Sequence, residues 1–585
     1  MSTVKRSLLA TVVVAVLLVG GTTIAVRAGA YTITVTGTAD GVTEKSIGAC
    51  EGGYGFDVAD VVDVGMTNYR IWGSSAELEP VDDDGVYGSP TIAEIKANPD
   101  LIPWAVWDAR FHDPNFRTHG VSLYDMLAAL RDNGIAPVVS LVNVNNSDQP
   151  EWMQQLNPPD TAEDWNEWWE HVYAWVYWVN VRNDLEIHDW QVHNEPDNSS
   201  QGWGGTLADY ILFTQYTHDA IQYVYDTYLP GKTFRLYAPV STHPNEWITE
   251  SLIQNDAIID VVDWHRYGPP TDEAAMVNGW VDQYDSDGVH EELCISEWGT
   301  YRGGYETHGN AMNYAKYLMD HSLTAESYVA RSQIFSMYDW SSRMTGLILA
   351  DGTKTATYYA FRLMVRGLQG AKTRYAVTHD IPSNVWIYPI AAVDQGSNTM
   401  YVEVMNKSRK SHTITLDVSA HATSGTVAFR EYGEGVNDVE AGTGSLNNGL
   451  VTFDVPASAI VQVILPLDGG PTPTPTPTPQ PGAMHVGDIA MSYKKTGKNY
   501  AALATVTIVD AGDAAVEGAT VYGTYSGATS ESVSGITAAD GQVALASSKK
   551  LDGGTWTFCV DDVVQEGWTY DAEANVETCD SITAP

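Results

Sequence analysis

Two glutamates in this chain stand in matching settings. Glu195 closes the run Trp190-Gln191-Val192-His193-Asn194-Glu195 before Pro196, and Glu297 closes Leu293-Cys294-Ile295-Ser296-Glu297 before Trp298 and Gly299. Each ends a short apolar run that predicts a buried strand, and each precedes a turn signal, so both carboxyls are expected at strand ends. Two carboxyl groups facing one another across a small gap suit cleavage of a glycosidic bond. One protonates the leaving oxygen, and the other attacks or stabilises the sugar cation. Taken alone, either residue could be an acidic cap on a loop; the repetition of the setting favours chemistry.

Several neighbours fit the same task. An ionised nucleophile needs nearby donors or a positive charge, and Arg70, in Tyr69-Arg70-Ile71-Trp72, is the best-placed candidate, against the plain alternative of a surface ion pair. Asp263-Trp264-His265-Arg266-Tyr267-Gly268 is a polar-aromatic strand end in which His265 and Tyr267 share a face by the two-residue strand period. Either could hydrogen-bond the nucleophile or a sugar, and a satisfied core histidine is an equal reading for His265. Asn194 can bond a sugar hydroxyl, and Pro196 fixes the exit of the chain. Trp298 offers a ring face beside Glu297, and Trp340, beyond the last predicted barrel strand, a flat platform for the apolar face of a sugar. Trp165, Trp168, Trp169, Trp175 and Trp178 recur at helical spacing and read as packing of an outer helix. No histidine pair sits at metal-ligand spacing beside an acid on one helix, so neither a catalytic metal nor any other cofactor is expected. A barrel lyase or esterase lacks support, since no Gly-x-Ser-x-Gly turn is evident.

The elements that must position these residues alternate short apolar strands with longer helical stretches. Eight strands are expected near Lys45 to Gly48, Asn68 to Trp72, Ala136 to Val142, Asp189 to His193, Leu236 to Val240, Val261 to Tyr267, Glu292 to Ser296 and Gln333 to Tyr338. This predicts an α/β fold, a (β/α)8 TIM barrel over residues 46–370, with Glu195 ending strand four and Glu297 strand seven. The carboxyls would then converge over the mouth at the carboxyl ends of the strands. Residues 371–468 alternate as β-strands and predict an attached β-sandwich, which the strand-like start of 31–45 could join. A Pro/Thr tract, 469–483, reads as a stiff linker to a separate all-β, immunoglobulin-like module at 484–585. The long insertion from Gly73 to His119, with Asp82-Asp83-Asp84-Gly85 and Trp104, Trp107, Asp108, Arg110 and His112, is expected to shape substrate access. Its acidic run reads as a solvated turn rather than a calcium loop.

Residues 1–30 read as a signal peptide: Lys5 and Arg6 precede an apolar stretch from Leu8 to Gly20, and Ala28-Gly29-Ala30 offers a cleavage site. The protein is therefore expected to be secreted and extracellular, free of membrane once the signal is removed. A formal charge of -43 argues against nucleic acid, anionic membrane and strongly anionic polysaccharides as partners and leaves neutral glycans. Four cysteines are few for 585 residues. Cys559 and Cys579 lie together in the tail as a disulfide candidate, Cys294 reads as a buried thiol, and the state of Cys50 is open.

With these motifs in hand, the region from Ser46 to Leu465 resembles the retaining glycoside hydrolases of clan A, through Asn194-Glu195-Pro196 and Ser296-Glu297-Trp298-Gly299. Family 39 looks closest because it couples a barrel to a β-sandwich; families 5, 30, 51 and 79 share parts of the pattern. The resemblance implies Glu195 as acid/base, Glu297 as nucleophile, Asn194 as a ligand of the sugar 2-hydroxyl and Tyr267 as partner of Glu297. It leaves Arg70 and His265 as supporting residues and Trp340 as part of the platform. The expected function is a secreted retaining O-glycosidase acting on a neutral poly- or oligosaccharide. A carbohydrate-binding or adhesion protein on an inactive barrel is the alternative.

Overall fold

The computed structural model describes residues 29–585 except 53–54, 74–86, 115–119, 143–157, 201–202, 269–272, 300–303, 324–327, 340–344, 468–481, 497, 511–514, 517, 539–540, 552 and 566–567. The expected leader, the run Asp82–Asp84, most of the Pro/Thr tract and Trp340 thus lie outside the described residues. Two compact units divide at Thr472/Pro473. No helix among the described residues is long and apolar enough to cross a membrane.

Strand β1 (Ala30–Val42) belongs to a second sheet. The next eight, β2 (Ser46–Cys50), β3 (Asn68–Trp72), β4 (Ala136–Ser140), β5 (Asp189–Gln191), β6 (Arg235–Ser241), β7 (Val261–Tyr267), β8 (Glu292–Gly299) and β9 (Val329–Phe335), form a closed parallel barrel in sequence order. All eight overlap the strands expected from sequence, although the last runs over Val329–Phe335 rather than Gln333 to Tyr338, and β9 pairs with β2 to close the ring. Strands of such a barrel are covered on both faces, which is why β2 and β3 are buried at every position. Between strands, the helices start where their caps dictate. Thr161 and Asp164 form a capping box for Ala162–Tyr177, and Thr206 and Asp209 one for Leu207–Tyr228.

Trp168, Trp169, Trp175 and Trp178 are fully buried in outer packing, with Trp165 partly buried. Their partners include part of the long insertion. The helix Trp104–Phe111 stacks Phe111 on Trp178 with ring centroids 3.8 Å apart, buries Trp104 and Trp107, and places Asp108 to accept from Trp178 Nε1 at 2.7 Å. These residues brace the outer helical layer rather than line an access path, which corrects the expectation for Trp104, Trp107 and Asp108.

Strand β1 pairs antiparallel with β10 (Thr373–His379) and parallel with β13 (His412–Asp417). With β11 (Ile387–Asp394), β12 (Thr399–Asn406), β14 (Ser424–Gly433), β15 (Val436–Asn447), β16 (Leu450–Val455) and β17 (Ala459–Pro466) it forms a closed nine-stranded sheet around Val402, Val404, Ile414, Leu416 and Val463. Strands β10 and β15 escape the sequence pattern. In β15 the run Asn437-Asp438-Val439-Glu440-Ala441-Gly442 carries little apolar signal, and its pairing with β14 holds it in place.

Among its described residues the second unit has nine strands in two sheets: β18 (Gly482–Thr496), β19 (Asn499–Asp510), β22 (Gln542–Ala546), β23 (Lys550–Leu551) and β25 (Trp568–Tyr570), facing β20 (Thr520–Gly527), β21 (Glu531–Ile536), β24 (Gly554–Val564) and β26 (Cys579–Ala584), around Val506, Tyr525, Trp556 and Phe558. Cys559 and Cys579 are disulfide-bonded, while Cys50 and Cys294 are buried free thiols. The bridge joins directly paired residues of neighbouring strands β24 and β26 in one sheet. An immunoglobulin domain bridges its two facing sheets instead, so the tail departs from the expected pattern here.

Candidate active site

Strand β5 is only three residues long, yet the chain beyond it stays threaded between its neighbours. The amide of Asn194 donates to Val142 O at 2.8 Å and that of Glu195 to Val240 O at 2.8 Å. Glu195 then adopts φ 46°, in the left-handed region that a long side chain rarely takes. Asn198, in the turn that follows, donates from Nδ2 to Glu195 Oε2 at 2.9 Å. The carboxyl is thereby held at the mouth rather than extended along the strand.

Glu297 reaches the same mouth through a register shift. Trp264 pairs with Ile295, whereas His265 pairs with Glu297, so Ser296 is an extra residue of β8. A bulge of this kind re-aims side chains, and here it is pinned by the Ser296 amide donating to Asp263 Oδ1 at 3.1 Å. Arg70 Nη1 donates to Glu297 Oε1 at 2.6 Å, and the Tyr267 hydroxyl to Glu297 Oε2 at 2.5 Å. Burial first, and then the neighbouring Glu297 charge, push the Tyr267 phenol well up, so it remains a donor.

Arg70 is wholly buried and fully used. Its Nε donates to Gln191 Oε1 at 2.6 Å, its Nη2 to Asn194 Oδ1 at 2.8 Å, and its guanidinium lies 4.2 Å from the Trp72 ring centre. Gln191 passes the network on, donating to Asp263 Oδ2 at 2.6 Å. Burial pushes the Asp263 carboxyl up to about 6, against the pull of His265 and Arg70. The guanidinium thus locks Glu297 and Asn194 in one fixed relation.

His265 stands between the two glutamates, with Nδ1 2.7 Å from Glu195 Oε1 and 3.5 Å from Glu297 Oε2. Burial opposes its charge, but Glu297 and Glu195 together outweigh burial and raise it above its ordinary value. Burial likewise pushes Glu195 up, and the His265 hydrogen bond and charge, with Asn198 and Arg70, bring it below the usual carboxylate range. Both directions favour a proton on His265 over one on Glu195. Glu195, His265 and Glu297 each offer an atom within 4.8 Å of the others. That is close enough for a cation, but Arg70 and His265 already occupy the carboxylate oxygens as donors.

The structure therefore brings together Glu195, Glu297, Asn194, Arg70, His265 and Tyr267. Trp298 does not join them: its ring is buried, edge-on to His321 and tilted against Phe361, because strand alternation turns it to the helical layer while Glu297 faces inward. Trp340 lies outside the described residues. Gln191, Asp263 and Asn198 were missed. The period that selects His265 and Tyr267 also selects Asp263 two residues earlier, whereas nothing in the sequence marks Asn198 beyond its turn.

No protein-family model and no curated protein matches the sequence. Solved structures do resemble it. A GH30 endoxylanase from Clostridium papyrosolvens C71 is 17% identical, with a TM-score of 0.52 over 74% of this chain and 100% of that one. A glucosidase from Croceicoccus marinus is 14% identical, with a TM-score of 0.53 over 74% and 98%. A GH39 enzyme from Xanthomonas axonopodis pv. citri is 14% identical, with a TM-score of 0.51 over 74% and 97%. At such identities the likeness is one of architecture: the chain has the fold of the clan A glycoside hydrolases.

Proposed function

We propose that the protein is a secreted retaining O-glycosidase of a neutral poly- or oligosaccharide. The observation that carries this reading is the approach of the two glutamates, with a carboxylate oxygen of each within 4.8 Å of the other. Retention needs carboxyls about 5 to 5.5 Å apart, whereas inversion needs roughly 6.5 to 9.5 Å to seat a water between them.

Glu297, oriented at both oxygens, attacks the anomeric carbon and forms a glycosyl ester as the bond to the leaving oxygen breaks. The proton shared by His265 and Glu195 is delivered through Glu195, whose side chain is 10% exposed against 0% for His265. The attack consumes the Glu297 charge, the foremost influence holding that proton on His265. Delivery and attack are therefore coupled. In the second step Glu195 takes a proton from water, whose oxygen attacks the anomeric carbon and releases Glu297. Asn194 commits its Oδ1 to Arg70 and keeps Nδ2 for a sugar hydroxyl.

Secretion rests on the basic-then-apolar start and the Ala28-Gly29-Ala30 site. The charge of -43 favours a neutral substrate. Similar folds described as an endoxylanase and a β-xylosidase put pentose-containing glycans first on a panel of xylan, β-glucan, galactan and mannan. Release of reducing ends by the parent protein and not by Glu297→Gln supports the proposal. Binding without turnover by the parent, or equal turnover by the variant, overturns it and favours a glycan-binding protein.

A further inference from the structure

Glu195 leaves β5 with φ 46°, a backbone conformation that a long side chain keeps only where its surroundings over-determine it. Part of that hold is the Glu195 amide donating to Val240 O at 2.8 Å. The next residue, Pro196, has no N–H to lend. The chain then closes a turn, in which the Asn198 amide donates to Glu195 O at 3.0 Å and Asn198 Nδ2 to Glu195 Oε2 at 2.9 Å. From this turn the side chain of Asp197 reaches the segment that leaves β6.

Asp197 Oδ1 accepts from the Thr242 amide at 2.9 Å, and its Oδ2 from the Thr242 hydroxyl at 2.7 Å and from Asn245 Nδ2 at 2.6 Å. Thr242 directly follows β6, and Asn245 caps the helix Glu246–Asn255 by accepting from the Trp247 amide at 2.9 Å. Both partners of Asp197 thus sit where regular elements fix the backbone. The two glutamates are held by different means. Glu297 is fixed at both oxygens, by Arg70 from β3 and Tyr267 from β7. Glu195 Oε1 meets His265, but Oε2 is held by Asn198, whose place follows from the turn that Asp197 anchors. Loosening that anchor shifts the acid/base and leaves the nucleophile where it is.

We propose that Asp197 is a positioning residue, which clamps the Glu195 turn to the segment after β6 so that the carboxyl faces the leaving oxygen; the inference rests on the glycosidase reading above. Protonation by Glu195 counts in proportion to how poor the leaving group is. A strongly acidic phenol departs as its anion and needs no proton, whereas a weakly acidic phenol or a sugar hydroxyl does. Attack by Glu297 is common to both. A displaced Glu195 therefore slows cleavage of poor leaving groups and spares good ones, a signature that a general loss of stability does not produce.

The test uses the full chain and two probes, the 2,4-dinitrophenyl and phenyl glycosides of the sugar that the parent releases from the glycan panel. Rates are compared as kcat/KM, which reports the steps up to the glycosyl ester. Asp197→Ala should lower kcat/KM on the phenyl glycoside by about 10- to 100-fold and on the dinitrophenyl glycoside by less than about threefold. Thr242→Val, which removes one donor and keeps the amide, should shift the ratio in the same direction by a smaller factor, and it carries the test if Asp197→Ala does not fold. Thermal unfolding of each variant fixes the folded fraction. A loss shared equally by the two glycosides, or a ratio unchanged from the parent, overturns the clamp and leaves the glycosidase standing. A parent that releases no sugar from the panel overturns the reading and this inference with it.

Discussion

The barrel mouth and the junction of the barrel with the nine-stranded sheet each bury carboxylates beside arginine, to opposite ends. At the junction Asp438 is enclosed by three arginines: Arg362 Nε donates to Oδ2 at 2.7 Å, Arg430 Nε to Oδ1 at 2.8 Å, and Arg366 to both oxygens at 3.3 Å. Its side chain is 0% exposed, and it too has a positive φ, 50°. At the mouth a single arginine and a histidine serve two glutamates whose side chains remain 7% and 10% exposed. Backbone strain and buried charge are therefore common to both places. What separates them is that the junction carboxylate is saturated with donors, whereas the mouth leaves its glutamates open toward a shared gap.

The sharpest way to break this comparison is to neutralise one carboxylate in each place. Glu297→Gln should lower turnover by about 10⁴-fold or more with folding preserved, and Glu195→Gln by about 10² to 10⁴-fold, as measured by reducing-end release. Asp438→Asn should instead leave turnover per folded molecule unchanged and cost about 2 to 4 kcal/mol in denaturant unfolding, since it removes the buried charge that three partly buried arginines share. Equal effects at both sites would erase the distinction.

Arg70→Met should combine the two behaviours. It removes the wholly buried guanidinium from Glu297, Gln191 and Asn194, so a loss of about 3 to 5 kcal/mol should accompany loss of activity. Near-parental stability would show that the mouth needs no counter-charge.

A smaller effect concerns pH. The pair His265–Glu195 holds its proton up to the raised value of His265, so activity should fall as pH climbs above about 6.5 and through that value. The stability that His265 draws from its two glutamates has the same sign: complete below about 6.5, lost as pH rises through the raised value. His265→Asn should flatten the alkaline limb and the matching slope in unfolding midpoint; an unchanged limb would assign the titration elsewhere. Smallest of all, Asn198→Ala removes one donor from Glu195 and should cost about 0.5 to 1.5 kcal/mol in transition-state stabilisation, read as a severalfold lower kcat/KM.

Much of this arrangement is legible in the residue order because parallel strands write themselves as continuous apolar runs. Ala136–Val142 and Leu236–Val240 announce their strands this way, and in Val261–Tyr267 the two-residue period places His265 and Tyr267 on one face. The bulge at Ser296 is invisible in sequence, since it arises from how β7 and β8 share a register around Asp263. Trp298 misleads because being adjacent in sequence to a functional residue puts a strand side chain on the other face. Strand β15 is hidden for another reason: its stability comes from its partner β14 and from Asp438 facing the arginines, not from its own hydrophobicity.

The pairing of Glu195 with Glu297 is tested most directly by the stereochemistry of the first product, followed by proton NMR of the anomeric signal in the opening minutes of hydrolysis of a susceptible glycoside. A product that first appears with the configuration of the substrate, and only later mutarotates, is the expected result. Initial release of the opposite anomer would contradict direct attack by Glu297 and require a water between the two carboxylates.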